Sequence, residues 1–132
     1  MNGVVIIDSC LLDKEDMSIL NAQSENIRYS LVKSSGFISS ELILVLVDLA
    51  RNIGYNAAYD ILKNTILKIY TLVKSKKKPS PNLQFEISCN GSVFSLRGNK
   101  ELSDAQMDKL VDAAVKVLLS EWESKEKPDE QQ

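Results

Sequence analysis

The side chains that most often perform acid–base catalysis or bind zinc are scarce in this chain. The 132 residues contain no histidine and only two cysteines, Cys10 and Cys89. Serine and cysteine triads cannot form without histidine, and two cysteines alone cannot close a structural zinc shell. Any catalysis would therefore depend on carboxylates, lysines or a divalent metal held by oxygen ligands. We predict no catalytic residue, no metal site, no cofactor and no small-molecule substrate.

Charge is the second source of possible chemistry, and it is unevenly distributed. Residues 1–60 contain four basic and eight acidic side chains, residues 61–100 contain eight and one, and residues 101–132 contain four and nine. The total is nevertheless only −2. A dedicated nucleic-acid-binding domain is expected to be basic overall, so this balance argues against a nucleic-acid partner.

Two charged clusters are candidates for a protein contact. The basic one ends the segment "VKSKKKP" and consists of Lys74, Lys76, Lys77 and Lys78. The acidic one follows helical spacing and consists of Asp104, Asp108 and Asp112, relieved on its own helix only by Lys116. One hypothesis is that the lysines of one copy meet the aspartates of another, which would give rings or filaments. The alternatives are a solvated helix face and lysines that complement a helix dipole.

A third candidate contact surface is the apolar segment "ELILVLVDLARN". Its apolar residues run nearly all the way round a helix that Ser39 or Ser40 could cap, so we predict a helix over residues 42–50. The apolar arc is wider than one neighbouring element needs to cover. We predict self-association through this helix, and the alternative is that the fold buries it internally. The candidate contact residues are Leu42, Val45, Leu46 and Leu49.

Clearer signals define the elements around these clusters. If Asn90-Gly91 forms a two-residue type I′ turn, "LQFEISCNGSVFSLRG" becomes a β-hairpin in which Phe85 pairs with Leu96 and Ile87 with Phe94. All four apolar side chains then lie on one face. A helix should follow from Ser103, an N-cap with Gln106 at the capping-box position, and it should bury a stripe through Trp122. That stripe consists of Met107, Leu110, Val111, Ala114, Leu118 and Trp122.

The rest of the chain completes the predicted fold. A long helix is indicated over "NAAYDILKNTILKIYTLVKSK", and strands over "GVVII" and "NIRYSLV", with a helix turn or a loop between the strands. We therefore predict one α+β domain over residues 1–122 and a disordered tail over 123–132. Its antiparallel or mixed sheet would contain the C-terminal hairpin and one or two N-terminal strands, covered on one face by about three helices.

The predicted cellular compartment depends on targeting features that the N-terminal segment lacks. "MNGVVIIDSC" has no basic region, its apolar run is shorter than a signal-peptide core, and "LILVLV" is too short to span a membrane. We predict a cytoplasmic protein without membrane contact, in which both cysteines are reduced and buried.

The order of these elements resembles that of small bacterial effector-associated adaptor domains. The resemblance covers most of the chain after residue 34, from "SSGFISSELILVLVDLARNIGYNAAYDILKNTILKIYTLVKSKKKP" through the hairpin to "SDAQMDKLVDAAVKVLL". It lies in an apolar stretch, a basic helix end, an Asn-Gly hairpin and a closing helix. The resemblance implies a non-enzymatic module that brings an effector to a sensor in bacterial defence or signalling.

A competing resemblance concerns the first strand. "VVIIDSCLL" is similar to the opening of PIN-domain nucleases, in which an aspartate ends the first strand and binds a divalent metal. Asp8 matches that position, and the resemblance would assign Glu41 and Asp104 to the second and third acid positions. A metal-bound water could then attack a phosphodiester. Against it, the PIN fold is a parallel doubly wound sheet, in which the Asn90-Gly91 hairpin is out of place.

We predict a small interaction or adaptor module without an active site, with a protein partner and self-association. Two alternatives remain open. One is the PIN-like metal-dependent ribonuclease, and the other is an immunity protein that neutralises a toxin with its acidic surface. The sequence does not separate an immunity protein from an adaptor.

Overall fold

The computed structural model describes residues 2–32, 42–75, 82–99, 102–120 and 122. Within those residues the chain forms five strands and three helices. In chain order these are β1 (Gly3–Asp8), α1 (Lys14–Ala22), β2 (Ile27–Val32), β3 (Leu42–Leu49), α2 (Tyr55–Lys74), β4 (Asn82–Cys89), β5 (Ser92–Asn99) and α3 (Asp104–Leu118). The predicted tail over 123–132 lies outside this part of the chain.

The five strands form one mixed sheet in the order β2-β1-β3-β4-β5. Two parallel pairs, β1 with β2 and β3 with β4, are each joined through a helix, and β1 and β3 meet antiparallel at the centre. The two crossovers run outward in opposite directions from antiparallel strands. If both have the usual right-handed connection, α1 and α2 fall on the same face of the sheet. The fold is α+β, as predicted.

Burial confirms that the helices share one face. Alternate strand residues point inward and are fully buried, among them Val5, Ile43, Phe85 and Ile87. They form one apolar cluster with Leu20 of α1, and with residues of α2 and α3 that follow helical spacing. Those helix residues are Leu62, Ile66, Ile69, Val73, Met107, Val111, Ala114 and Leu118. The core therefore lies between the sheet and its single helical layer.

The hairpin has the predicted turn and register. Asn90 and Gly91 both have positive φ, at 47° and 97°, as a type I′ turn requires. Phe85 pairs with Leu96 and Ile87 with Phe94. The Asn90 side chain also extends the β3–β4 ladder, because its Oδ1 accepts from the Leu49 N–H at 3.1 Å and its Nδ2 donates to the Leu49 carbonyl at 3.3 Å. Asn90-Gly91 is thus a structural element of the sheet.

The prediction of a helix over residues 42–50 is wrong, because this segment is the central strand β3. Its neighbours β1 and β4 bond it on both sides, and alternate residues Ile43, Val45, Val47 and Leu49 are buried under the helices. Leu42, Leu44 and Leu46 occupy the other face. An apolar residue at every position is typical of a strand with two apolar faces, and the β-branched Ile43, Val45 and Val47 favour that choice.

The capping signals of the helices predict the structure better than the apolar pattern of residues 42–50 does. Ser103 caps α3, and a reciprocal bond from Gln106 completes the capping box, as predicted. Trp122 is half-buried, and its Nε1 donates to the Ile53 carbonyl at 3.2 Å. Leu110 departs from the predicted core stripe, since it is 39 % exposed. The segment between β1 and β2, for which the sequence predicts a helix turn or a loop, contains helix α1. Asp13 caps this helix, and Asp16 completes a second capping box.

Candidate functional site

The candidate site is the face of the sheet opposite the helices, here called the open face. In the chain that the structure describes, no helix packs on it, and its side chains alternate with those of the core along each strand. Its centre is apolar and comprises Ile6, Val32, Leu44, Leu46 and Val93. Leu46 is 48 % exposed and Val93 is 69 % exposed. A solvent-facing sheet surface normally presents polar side chains here, so the apolar centre requires another explanation.

Strand register places the open-face side chains in rows. Ile6, Leu46, Ser88 and Val93 pair in sequence across four strands. The next row contains Val32, Asp8, Leu44, Glu86 and Ser95. A shallow groove of about 350 Å³ lies along these two rows. Asp8 and Glu86 lie on either side of Leu44. Because neighbouring strands are about 4.8 Å apart, the backbones of these two acids are about 10 Å apart.

The charges of the open face are arranged by sign. Asp8, Asp48 and Glu86 lie on the three inner strands, next to the apolar centre. Arg28 and Arg97 lie on the outermost strands β2 and β5, at opposite ends of the strand direction. A ligand at the centre would therefore meet apolar side chains flanked by carboxylates, with the two guanidinium groups at the periphery.

The 42–50 candidates divide between the two faces. Val45 and Leu49 are 2 % and 3 % exposed and belong to the core, so they are not available to a partner. Leu42 is half-buried on the open face, and Leu46 lies in its centre. The predicted contact surface is thus reduced to alternate residues of a strand, because the side-chain period of a strand is two residues.

The acidic stripe of α3 is paired within the chain. Lys63 of α2 lies 3.3 Å from Asp108 and 3.9 Å from Asp112, and Lys116 lies 3.0 Å from Asp112. The Tyr59 hydroxyl also donates to Asp112. Ion pairs within the chain therefore offset the repulsion between Asp108 and Asp112, so this repulsion no longer calls for a contact with another copy. Sequence reasoning missed Lys63 because the contact depends on the packing of α2 against α3.

The lysine cluster is described only at its first member. Lys74 lies 3.6 Å from Asp104 of the same chain and above the Tyr70 ring at 5.7 Å. Lys76, Lys77 and Lys78 lie outside the described residues. The Lys74–Asp104 pair joins the end of α2 to the start of α3, so these two charges also act between helices of one chain. Asp104 is almost fully exposed, which makes the pair's contribution to stability small.

Of the three acids that the PIN resemblance selects, the structure describes two, Asp8 and Asp104, and it does not bring these two together. Asp8 lines the groove of the open face, whereas Asp104 begins α3 in the layer on the opposite face. Glu41 lies outside the described residues. Among the residues with described positions, no group of three or more histidine, cysteine, aspartate or glutamate side chains is placed to hold a metal ion.

The two cysteines differ in environment. Cys89 is buried at the end of β4, as predicted, but Cys10 is exposed in the turn after β1. The prediction that both are core residues is therefore wrong for Cys10.

Comparisons with protein-family models, with curated proteins and with solved structures found no significant match for this chain. No helix within the described ranges is long and apolar enough to cross a lipid bilayer. The function of the chain must therefore be inferred from its own surfaces.

Proposed function

We propose that the protein is a non-enzymatic interaction module that binds a protein partner through the open face. The observation that supports this is the row Ile6, Leu46, Ser88, Val93, which places three apolar side chains on a sheet surface that no described helix covers. Leu46 and Val93 leave about half or more of their surface to water. Transfer of such surface to a protein interface is favourable by about 25 cal/mol per Å² of apolar area.

The partner's chemistry follows from the charges beside this row. A partner that buries Leu44 and Leu46 also approaches Asp8 and Glu86, which flank Leu44. Carboxylates at an interface are costly unless they are paired, so the partner should present lysine or arginine around an apolar centre. A second copy docked face to face would offer further carboxylates at the same level of the sheet. We therefore propose a different protein with a basic and apolar surface.

The absence of catalysis is part of the proposal. The open face combines apolar side chains with carboxylates that are not clustered, and the polar seam between α2 and α3 is a set of structural ion pairs. An adaptor that joins an effector to a sensor, as the resemblance implies, would require such a docking face and no active site. The bacterial setting and the cytoplasmic location stay predictions.

Site-specific photo-crosslinking tests the proposal in the cell that naturally produces the protein. A photoreactive benzophenone side chain replaces Leu46 on the open face. The matched control replaces Ile19 of α1, which is 44 % exposed, against 48 % for Leu46. We expect one prominent cross-linked species from position 46 and none from position 19.

The cross-linked protein must then bind the purified chain directly. Binding should weaken strongly when Glu86 is replaced by lysine, since a basic partner surface would meet a positive charge. Equal cross-linking from positions 19 and 46 would contradict the proposal, and so would a partner that binds the Glu86→Lys variant with unchanged affinity.

A further inference from the structure

The two edges of the sheet differ in how they are protected. At the β2 edge, the Asn21 side chain of α1 forms two hydrogen bonds with the backbone groups of Tyr29 that point away from the sheet. The Tyr29 N–H donates to Asn21 Oδ1 at 2.7 Å, and Asn21 Nδ2 donates to the Tyr29 carbonyl at 3.0 Å. This side chain occupies the position that an added strand would take, which is one way in which proteins block an exposed edge.

The β5 edge has no such cover in the ranges that the structure describes. Cys89 and Ser92 flank the two-residue turn and form a hydrogen-bonded pair, and such pairs recur at every second position along the hairpin. The backbone groups of Val93, Ser95 and Arg97 therefore point away from β4. Strand β5 is the outermost strand of the sheet, so these groups form an edge that can accept another strand.

A helix flank above this edge is also apolar and exposed. Leu110 and Val117 of α3 are 39 % and 54 % exposed, and they lie seven residues apart on one flank, with exposed Ala113 between them. The opposite flank of α3 bears Asp108 and Asp112, which face α2. Because α3 packs on β5, the apolar flank lies on the same side of the molecule as the free strand edge.

We infer that two copies of this chain join through their β5 edges, which pair antiparallel about a two-fold axis, while their α3 flanks pack against each other. The flank is uncharged at Gln106, Leu110, Ala113 and Val117, so it meets its own copy without like-charge repulsion. A two-fold axis near Ala113 brings Leu110 of one copy to Val117 of the other. The small side chain of Ala113 lets the two helices approach closely at the axis.

The strand register follows from the side chains of β5. An axis at Ser95 places Phe94 of each copy opposite Leu96 of the other on the helix-covered side. Phe94 is only half-buried in the single chain and gains burial in this arrangement. An axis one residue later would place Phe94 opposite Gly98 instead. Apolar cross-strand pairs are the more stabilising choice, so the axis belongs at Ser95.

The two layers agree on where the axis passes. Ser95 lies four residues before the end of β5 at Asn99, which is about 13 Å at the rise of a strand. Ala113 lies nine residues after the start of α3 at Asp104, which is about 14 Å at the rise of a helix. Since α3 returns over β5, one axis can pass close to both residues.

The interface would be of modest size. An eight-residue strand edge is about 26 Å long, and a sheet with one helical layer is about 20 Å high, which gives about 500 Å² per copy. The total of about 1,000 Å² is at the lower limit for specific association. We therefore expect a concentration-dependent dimer with a dissociation constant in the micromolar range. This contact uses the backbone edge of β5 and the flank of α3, whereas the proposed docking surface uses open-face side chains around Leu46. Either surface can therefore fail its test without the other.

Cysteine cross-linking tests the register in the full chain with Cys10 replaced by serine. Ser95→Cys should give a disulfide-linked dimer under mild oxidation, because residues paired at the axis have Cα atoms about 5.5 Å apart. Arg97→Cys is the matched control, on the same strand and the same face. The two copies of position 97 would lie about 14 Å apart, beyond the reach of a disulfide. Cross-linking from position 97 but not from position 95 would overturn the inferred pairing.

Sedimentation equilibrium tests the contribution of the helix flank, with protein from about 1 µM to 1 mM. Val117→Lys should weaken dimerisation at least tenfold, whereas Ile19→Lys, at a comparably exposed apolar position on α1, should leave it unchanged. Unaltered far-ultraviolet circular dichroism confirms that both variants are folded. A wild-type monomer at 1 mM overturns the inference, and so does an equal loss in the two variants.

Discussion

The two faces of the sheet are built from the same five strands, yet they differ in what covers them. On one face, three helices bury the alternate residues of the inner strands β1, β3 and β4 to near zero exposure. On the other, Leu46 and Val93 lie in one row and remain accessible, beside the carboxylates Asp8 and Glu86. Strand β3 contributes to both faces, with Val45 in the core and Leu46 in the open groove. The apolar character of the second face is therefore not required for the helical core.

This difference predicts that residues on the helix-covered face determine stability and that residues on the open face determine partner binding. A core residue stabilises the fold through burial, so its loss should be measured in the free energy of unfolding. An open-face residue has few partners within the chain, so its loss should appear in binding instead. Substitutions of matched chemistry on the two faces should therefore differ in their effects on folding and on binding.

Phe85→Ala should have the largest effect on stability. Phe85 is fully buried beneath the helices, and its truncation leaves a cavity that should cost about 3–5 kcal/mol of the free energy of unfolding. Val93→Ala, on the open face, should cost less than about 0.5 kcal/mol. Urea denaturation of the two variants measures both values. A loss of more than about 2 kcal/mol in Val93→Ala would show that the open face contributes substantially to folding.

Asn90→Ala should have an intermediate effect, of about 2 kcal/mol. The substitution removes the two bonds to Leu49 and places an alanine at φ 47°, a conformation that favours asparagine or glycine. Asn90→Gly keeps the backbone conformation accessible and removes only the side-chain bonds, so it should lose about half as much. Thermal and urea unfolding can resolve this difference. Equal stability of the alanine variant and the wild type would mean that the turn does not depend on Asn90.

Leu46→Thr should change stability less than Phe85→Ala or Asn90→Ala. Threonine has a β-branched side chain, which is favourable in a central strand, and the substitution removes only the contacts of a partly exposed leucine. We expect a change within about 1 kcal/mol in the free energy of unfolding. The same variant should lose binding to the partner. A stable variant with intact binding would place the docking surface elsewhere.

The sequence predicts those parts of the fold that depend on local signals. Asn90-Gly91 determines the turn, and the turn determines the register of the hairpin, because a two-residue connection leaves one pairing that sorts the apolar side chains. Ser103 and Gln106 likewise determine the start of α3. These features involve residues that are close in the chain, so their physics can be evaluated without knowledge of the neighbours.

The remaining features depend on distant neighbours. An apolar segment such as Leu42–Leu49 is compatible with a buried helix or with a central strand, and only the pairing with β1 and β4 decides between them. The partner of the acidic stripe, Lys63, is about fifty residues away in the sequence and becomes adjacent through helix packing. The open face could not be predicted as a surface because it exists only once β3 is recognised as a strand.

The most direct test of the docking face is an isothermal titration of the cross-linked partner with three forms of the full chain. These are the wild type, Leu46→Asp and Ile19→Asp, which introduce the same charge at two similarly exposed positions. We predict that Leu46→Asp weakens binding by roughly a hundredfold, as expected for a residue at the centre of an interface, while Ile19→Asp leaves the affinity unchanged. Equal affinities for Leu46→Asp and the wild type would contradict the assignment of the open face as the docking surface.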